Sequence, residues 1–265
     1  MALGAAALEW DIREASVAQR WRARLEHLLE TDPEGCFVAE RDGSVIGAAQ
    51  AMARERLWVL SLLVVDPDAQ SSGAGRALLE RALTYAGATT DIGLLLSSSD
   101  PRALRLYALA GFALLPTFEA TGMLDRRTLP PPAGEVHAAG SADLPALEAI
   151  SREVRGAPHT SELEFALRRG QRLLRLGDRG FAVVAPGRGV WLLVALDEAA
   201  ASQLLWAALA LAETEHPSVR WITAEQQWAI RIAVRAGLRL HPYGAVGVRG
   251  ELGPLRPFLP SGPFA

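Results

Sequence analysis

The chain is written twice. Ala103-Leu104-Arg105-Leu106-Tyr107-Ala108-Leu109-Ala110-Gly111-Phe112 lies over Ala229-Ile230-Arg231-Ile232-Ala233-Val234-Arg235-Ala236-Gly237-Leu238 at an offset of 126 residues, and the same offset sets Leu78-Leu79 over Leu204-Leu205 and Pro116 over Pro242. Two helices rich in Ala and Leu can resemble each other by chance. One offset shared by two helices and a following proline instead points to a duplicated unit, which restricts the fold to a repeated supersecondary pattern. Between the copies stands Pro130-Pro131-Pro132-Ala133-Gly134. Three prolines exclude both helix and ladder, so this stretch reads as a semi-rigid linker and the boundary between residues 1–129 and 135–265. A length of 265 residues leaves room for two domains of ordinary size.

Within each copy the order of elements is similar. Val17, Trp21, Leu25 and Leu28 share one face of an amphipathic helix over 16–30. Strands are expected at 36–40, 44–53 and 57–65, with Asp42-Gly43 turning the first pair. A helix over 74–86, a strand over 92–97, a helix over 101–110 ended by Gly111, and strands over 112–115 and 119–124 follow. The second copy reads as helices at 142–154 and 161–169, strands at 172–176, 180–185 and 189–196, then helix, strand, helix and a strand from 238. A meander followed by alternating strands and helices indicates a mixed α/β fold.

The copies differ at one place. In the first, Val64-Val65-Asp66-Pro67 ends a strand, and Gln70-Ser71-Ser72-Gly73-Ala74-Gly75-Arg76 leads into a helix. The first N–H groups of a helix have no intrahelical partner and carry partial positive charge, so a glycine loop there is an anion site that favours a phosphorylated ligand. In the second copy Asp197 and Leu204 are seven positions apart, whereas Asp66 and Leu78 are twelve apart. The glycine segment is missing, and Glu198 stands where phosphate would approach.

Composition narrows the choice of phosphate ligand. All 27 basic residues are Arg, which removes a P-loop, because that motif needs its lysine. A dinucleotide fingerprint needs a third Gly or Ala where Leu78 stands. A net charge of −3 with scattered Arg gives no reason to expect nucleic acid. No apolar run approaches the ~18 residues of a membrane span, and no secretory leader is evident, so a cytoplasmic protein is expected. Cys36 is alone, excluding an internal disulfide, and reads as a small buried hydrophobe. His137, His159, His216 and His241 lack metal-ligand spacing, so no metal is expected. Trp191, Trp206, Trp221 and Trp228 are read as core or as the surface packed against the first domain, and the tail with Phe258, Leu259 and Phe264 as docked on the body.

The pattern Gln70-x-x-Gly73-x-Gly75 after Val65-x-Pro67, together with Asp100, Ala103, Tyr107, Gly111 and Phe112, resembles the GNAT superfamily of acyl-CoA-dependent N-acyltransferases. Ile12-Arg13-Glu14-Ala15 is similar to that family's opening strand. The resemblance implies two tandem GNAT-like domains, each a twisted mixed sheet flanked by helices, the C-terminal one degenerate and lacking the pyrophosphate loop. It implies acetyl-CoA as donor, with Leu63, Val64 and Val65 at the thioester and pantetheine arm, and Gln70, Ser71, Ser72, Gly73, Ala74, Gly75 and Arg76 around the pyrophosphate. Asp100 stands where the family often has Asn, also toward CoA. Tyr107 occupies the position that donates a proton to the leaving thiolate. The implied acceptor is a small-molecule or peptide amine, and the chain a monomeric pseudo-dimer or a homodimer. A non-catalytic acyl-CoA sensor is the alternative. Glu26, His27, Glu30 and Glu55 lie near where an amine would approach, yet each reads more simply as an ordinary helix or turn residue, and no general base is assigned.

Overall fold

The structure, a computed structural model, describes residues 15–87, 90–131, 135–252, 255–262 and 264. The opening-strand reading at Ile12-Arg13-Glu14 and residues 132–134 of the linker lie outside them. The first half runs α1 (Ala15–Thr31), β1 (Cys36–Arg41), β2 (Ser44–Arg54), β3 (Leu57–Val65), α2 (Ala74–Thr84), β4 (Ile92–Ser98), α3 (Pro101–Leu109) and β5 (Ala113–Thr121). The second runs β6 (Val136–Ala139), α4 (Leu144–Arg155), α5 (Thr160–Arg168), β7 (Arg172–Leu176), β8 (Gly180–Ala185), β9 (Gly189–Ala195), α6 (Glu198–Ala210), β10 (Ser218–Thr223), α7 (Gln227–Arg235) and β11 (Arg239–Arg249), with a short β12 (Phe258–Leu259) in the tail. Pro101 and Gln227, Leu109 and Arg235, and Ala113 and Arg239 are all 126 residues apart, so the repeat read from side chains is also the repeat of element bounds.

One departure from expectation governs the architecture. The strands do not form two sheets but one, in the order β1-β2-β3-β4-β11-β5-β10-β9-β8-β7-β6. β11, from the second half, lies between β4 and β5 of the first, and β5 lies between β11 and β10 of the second. Each half thus completes the other's sheet by lending its last strand. β5 is also continuous where the sequence suggests two short strands around Pro116. β10 pairs with β5 only as far as Thr117, and β4 pairs with β11 only from Gly244. Pro116 and Pro242 therefore sit where the outer neighbour has ended, and a missing N–H costs no ladder bond on that side.

Alternation along the strands sorts the core. Leu57 and Val59 of β3 join Leu28, Leu147, Phe181, Leu192 and Phe264 in a cluster shared by both halves, under α1, α4 and α5. Trp58 and Leu60 point the other way, among Leu78, Leu79 and Phe112 of α2 and the start of β5. α6 and α7 cover the corresponding face of the second half through Leu204, Leu205, Trp228 and Ile232. The shared face also holds a buried ion network. Arg54 binds Asp32 at 2.8 Å and Glu162 at 2.9 Å, and Glu162 lies 3.6 Å from Arg155. Arg155 in turn donates to the Phe264 carbonyl at 2.8 Å, which ties the tail to this network. The tail docks as the sequence suggests, with Phe258, Leu259 and Phe264 buried.

Candidate functional site

β3 and β4 run parallel from Leu57 opposite Ile92 to Leu60 opposite Leu95, then part. Parting leaves backbone groups of β3 without a strand partner on that side, and Arg24 of α1 takes one of them, donating from Nη2 to the Ser61 carbonyl at 2.7 Å. A cleft of about 930 Å³ opens from this point. One wall is Leu60 to Val65 and Leu96 to Asp100, one end is the glycine loop, and the far end is built by the second half and the tail.

The starts of α2 and α3 stand at the loop end, and these two and α6, the second half's counterpart of α2, are capped differently. α3 is capped by Asp100, which accepts from the Arg102 N–H at 2.8 Å, and α6 by Asp197, which accepts from the Ala200 N–H at 2.8 Å. α2 begins after Gly73, at φ 92°, with no side-chain cap. Its first N–H groups therefore remain available, and Gly73, Gly75 and Arg76 line the cleft. Gly73 needs its left-handed backbone. Gly75 does not: it is inside the helix, and a β-carbon there would meet protein no closer than 3.5 Å. Glycine in a helix costs roughly 0.5–1 kcal/mol against alanine, a cost that the protein's own packing does not explain.

Of the residues implied by the resemblance, Leu63, Val64, Val65, Gln70, Ser71, Gly73, Gly75, Arg76, Asp100 and Tyr107 all line this one cleft. Ser72 and Ala74 do not, and the Ser72 hydroxyl instead donates to the Ala69 carbonyl at 2.6 Å. Asp100 is committed locally, capping α3 and pairing with Arg102 at 2.8 Å, while Arg102 also donates to Gln70 Oε1. That chain fastens the loop to α3. Tyr107 is buried among Trp58, Phe112 and Leu79, and burial, with Asp100 nearby, holds its phenol protonated well above the usual range.

The residues weighed for a base lie elsewhere. His27 is buried against Phe165, with burial lowering its pKa, and is not on the cleft wall. Glu26 and Glu30 are exposed, and Glu55 accepts from Arg152 at 2.9 Å. The far end of the cleft was invisible in the sequence. It is lined by Arg188 in the β8–β9 turn, Trp191 of β9, Arg220 and Trp221 of β10, Glu119 of β5, and Phe264. Only the exchange of β5 and β11 brings Glu119 beside Arg220, at 2.5 Å, and no local motif signals it.

The second half's own strand fork is occupied differently. β9 and β10 pair only at Gly189 and Ser218 before parting. β12 then lies antiparallel on β9, Phe258 opposite Val194 and Leu259 opposite Leu193, filling the space that stays open between β3 and β4. Among the described residues there is no group of acidic, His or Cys side chains able to hold a metal, and no helix long and apolar enough to cross a membrane.

Comparison with known proteins agrees with this fold. Residues 4–112 match the acetyltransferase (GNAT) family. A mycothiol acetyltransferase of Streptomyces coelicolor is 33% identical over 117 residues, covering 42% of this chain and 38% of that protein. The mycothiol acetyltransferases it matches are spanned over only 28–38% of their own length. A candidate acetyltransferase of Pyrococcus horikoshii superposes with a TM-score of 0.78 at 18% identity, over 93% of this chain and 86% of that one. A tandem GNAT protein from the clavulanic acid biosynthesis pathway gives 0.57 at 15% identity, over 86% and 87%. Residues 4–112 thus match the acetyltransferase (GNAT) family, and the chain shares its overall fold with a tandem GNAT protein.

Proposed function

We propose that the protein is an N-acetyltransferase that moves an acetyl group from acetyl-CoA to an amine, with residues 1–129 carrying the reaction and 135–265 shaping the acceptor end. The observation that carries this reading is the uncapped N-terminus of α2, with Gly75 facing a cleft that continues along the parted edge of β3 to Tyr107. N–H groups at that terminus suit a pyrophosphate, and the free edge at Leu63 to Val65 suits the amide-bearing pantetheine arm. The residues fit the donor: a β-carbon at Gly75 would occupy space that the protein itself leaves empty.

In this reading the cleft holds the amine nitrogen against the thioester carbon, so that proximity supplies much of the acceleration. The amine forms the new C–N bond as the C–S bond breaks, Tyr107 gives its phenolic proton to the departing thiolate, and the proton shed by the amine nitrogen restores the phenol. Its raised pKa keeps that proton in place until the thiolate forms. A donor too highly charged to cross a bilayer sets the reaction in the cytoplasm, and the exchanged sheet makes a monomer sufficient.

Incubating the protein with acetyl-CoA and a panel of small amines and peptides, read by a thiol reagent, tests the proposal. Thiol release above the amine-free blank supports it. Tight acetyl-CoA binding with no release across the panel would instead indicate an acyl-CoA sensor.

A further inference from the structure

The two ends of the cleft carry charge differently. At the loop end Arg76 pairs with Glu80 and Arg102 with Asp100. At the far end Arg20, Arg24, Arg188 and Arg220 line the wall, and the carboxylate there is Glu119, already taken by Arg220 at 2.5 Å. Arg24 has the Ser61 carbonyl and the Trp21 ring, 4.4 Å from its guanidinium carbon, but no carboxylate among the described residues. Its Nε is buried without a hydrogen-bond partner. Arg188 has no ion pair or hydrogen bond to its guanidinium among the described residues. Burial first, then the neighbouring Arg220 and Arg20, lower its pKa, against smaller opposing pulls from Tyr243 and Glu119.

Arg24 and Arg188 are costly to hold there, because a guanidinium drawn out of water without a carboxylate partner loses hydration that the described residues do not fully replace. A ligand that brings the anion removes the cost. Two neutral groups of the cleft lining, Gln171 Oε1 and Ser61 Oγ on the β3 wall, are buried and without hydrogen-bond partners among the described residues. Trp221 adds a rigid wall, packed edge to face on Tyr243 with ring centroids 4.6 Å apart. It holds φ at +58° within β10, a conformation that a bulky residue rarely keeps without a reason in its surroundings.

We infer that the acceptor amine itself carries an anionic group, a carboxylate or a phosphate, which Arg188 grips while the amine points back toward Tyr107. Guanidinium is suited to either anion by paired, charge-assisted hydrogen bonds. This inference rests on the transferase reading for the word acceptor, but the anion site stands or falls separately.

The test uses matched pairs: L-phenylalanine against L-phenylalaninamide, and D-glucosamine 6-phosphate against D-glucosamine, compared at equal concentrations of neutral amine. Calorimetry on the CoA-loaded protein reads binding, and thiol release from acetyl-CoA reads turnover. In at least one pair the anionic member should bind, and turn over, at least tenfold better than its neutral partner. The pair that responds tells carboxylate from phosphate. Arg188→Gln should remove that preference, leaving the neutral partner and acetyl-CoA affinity within about twofold of wild type. Equal or undetectable binding of both members in both pairs overturns the inference, as does an Arg188→Gln variant that weakens acetyl-CoA itself, which would assign Arg188 to the donor. Anion-selective binding without turnover would keep the anion site and sink the transferase reading.

Discussion

Thr117 and Tyr243 meet at the centre of the sheet. The ladder between β5 and β11 pairs Phe118 with Pro242 and Thr117 with Gly244, leaving Tyr243 as the extra residue between those rungs. The two residues are 126 apart, the interval of the repeat, so the point where the strands cross their pseudo-twofold axis is also the point where their register slips. On either side, the halves answer each other rung by rung.

Gly75 separates stability from binding. Gly75→Ala should raise unfolding free energy by about 0.5–1 kcal/mol, since the site is helical and a β-carbon meets no protein closer than 3.5 Å. The same change should weaken acetyl-CoA binding, and Gly75→Val should weaken it by at least about tenfold, the equivalent of 1.4 kcal/mol. Denaturant titration and calorimetry read the two effects, and stability gained with affinity unchanged would remove the loop from donor binding.

Tyr107→Phe should lower kcat by about 10²-fold, the low end for loss of a general acid, with acetyl-CoA affinity unchanged. Because burial raises the phenol's pKa, its proton should be retained up to pH 10. The wild-type kcat profile therefore should show no descending alkaline limb that the Phe variant lacks. Such a limb near pH 8 would assign the proton to another group.

Calorimetric titration should find one acetyl-CoA per chain. In the second half Asp197 caps α6 and β12 lies in the strand fork, so neither phosphate nor pantetheine has a place. A second equivalent of comparable affinity would contradict this.

Acid should unfold the protein partly through Asp32. Burial raises this carboxyl's pKa, but bonds from Arg54, Thr31 and the Ala53 N–H outweigh it, and the folded value lies below the ordinary one. A depressed carboxyl stabilises the fold above its unfolded pKa of about 3.9, and that contribution is lost as pH falls through the folded value. Asp32→Ala leaves Arg54 half-answered and should cost about 3–5 kcal/mol at pH 7. Its stability should then fall less steeply between pH 5 and 3 than the wild type's, as followed by thermal unfolding.

Residues 1–129 expressed alone should fail to give a cooperatively folded domain, because β11 would be missing from between β4 and β5. Adding residues 135–265 as a separate fragment should restore the fold. A stable, acetyl-CoA-binding 1–129 fragment would show that the borrowed strand is dispensable.

Much of the fold was legible because it is local. Periodicity marked α1, the glycine loop marked the turn into α2, and the interval between Ala103 and Ala229 announced the duplication. The loop residues and Tyr107 fell in one cleft because a strand, a tight loop and two helices placed them there within about fifty residues of chain. What was not legible depends on distant pairing. Whether β11 closes its own half or the other one is a matter of strand partners, and no residue pattern within β11 names its neighbour. Glu119, Arg188 and Arg220 are therefore unremarkable in sequence and adjacent in space.

The lent strands also bear on how such a chain can change over time. A duplicate that has lost its ligand site would ordinarily be free to erode or disappear. Here its deletion would unseat β11 and bare the edges of β4 and β5, exposing hydrogen-bonding groups in the middle of the half that carries the glycine loop. The copy without the glycine loop is thus held in place by the other's need for a strand neighbour, and its surface remains open to selection for whatever the cleft's far end must recognise.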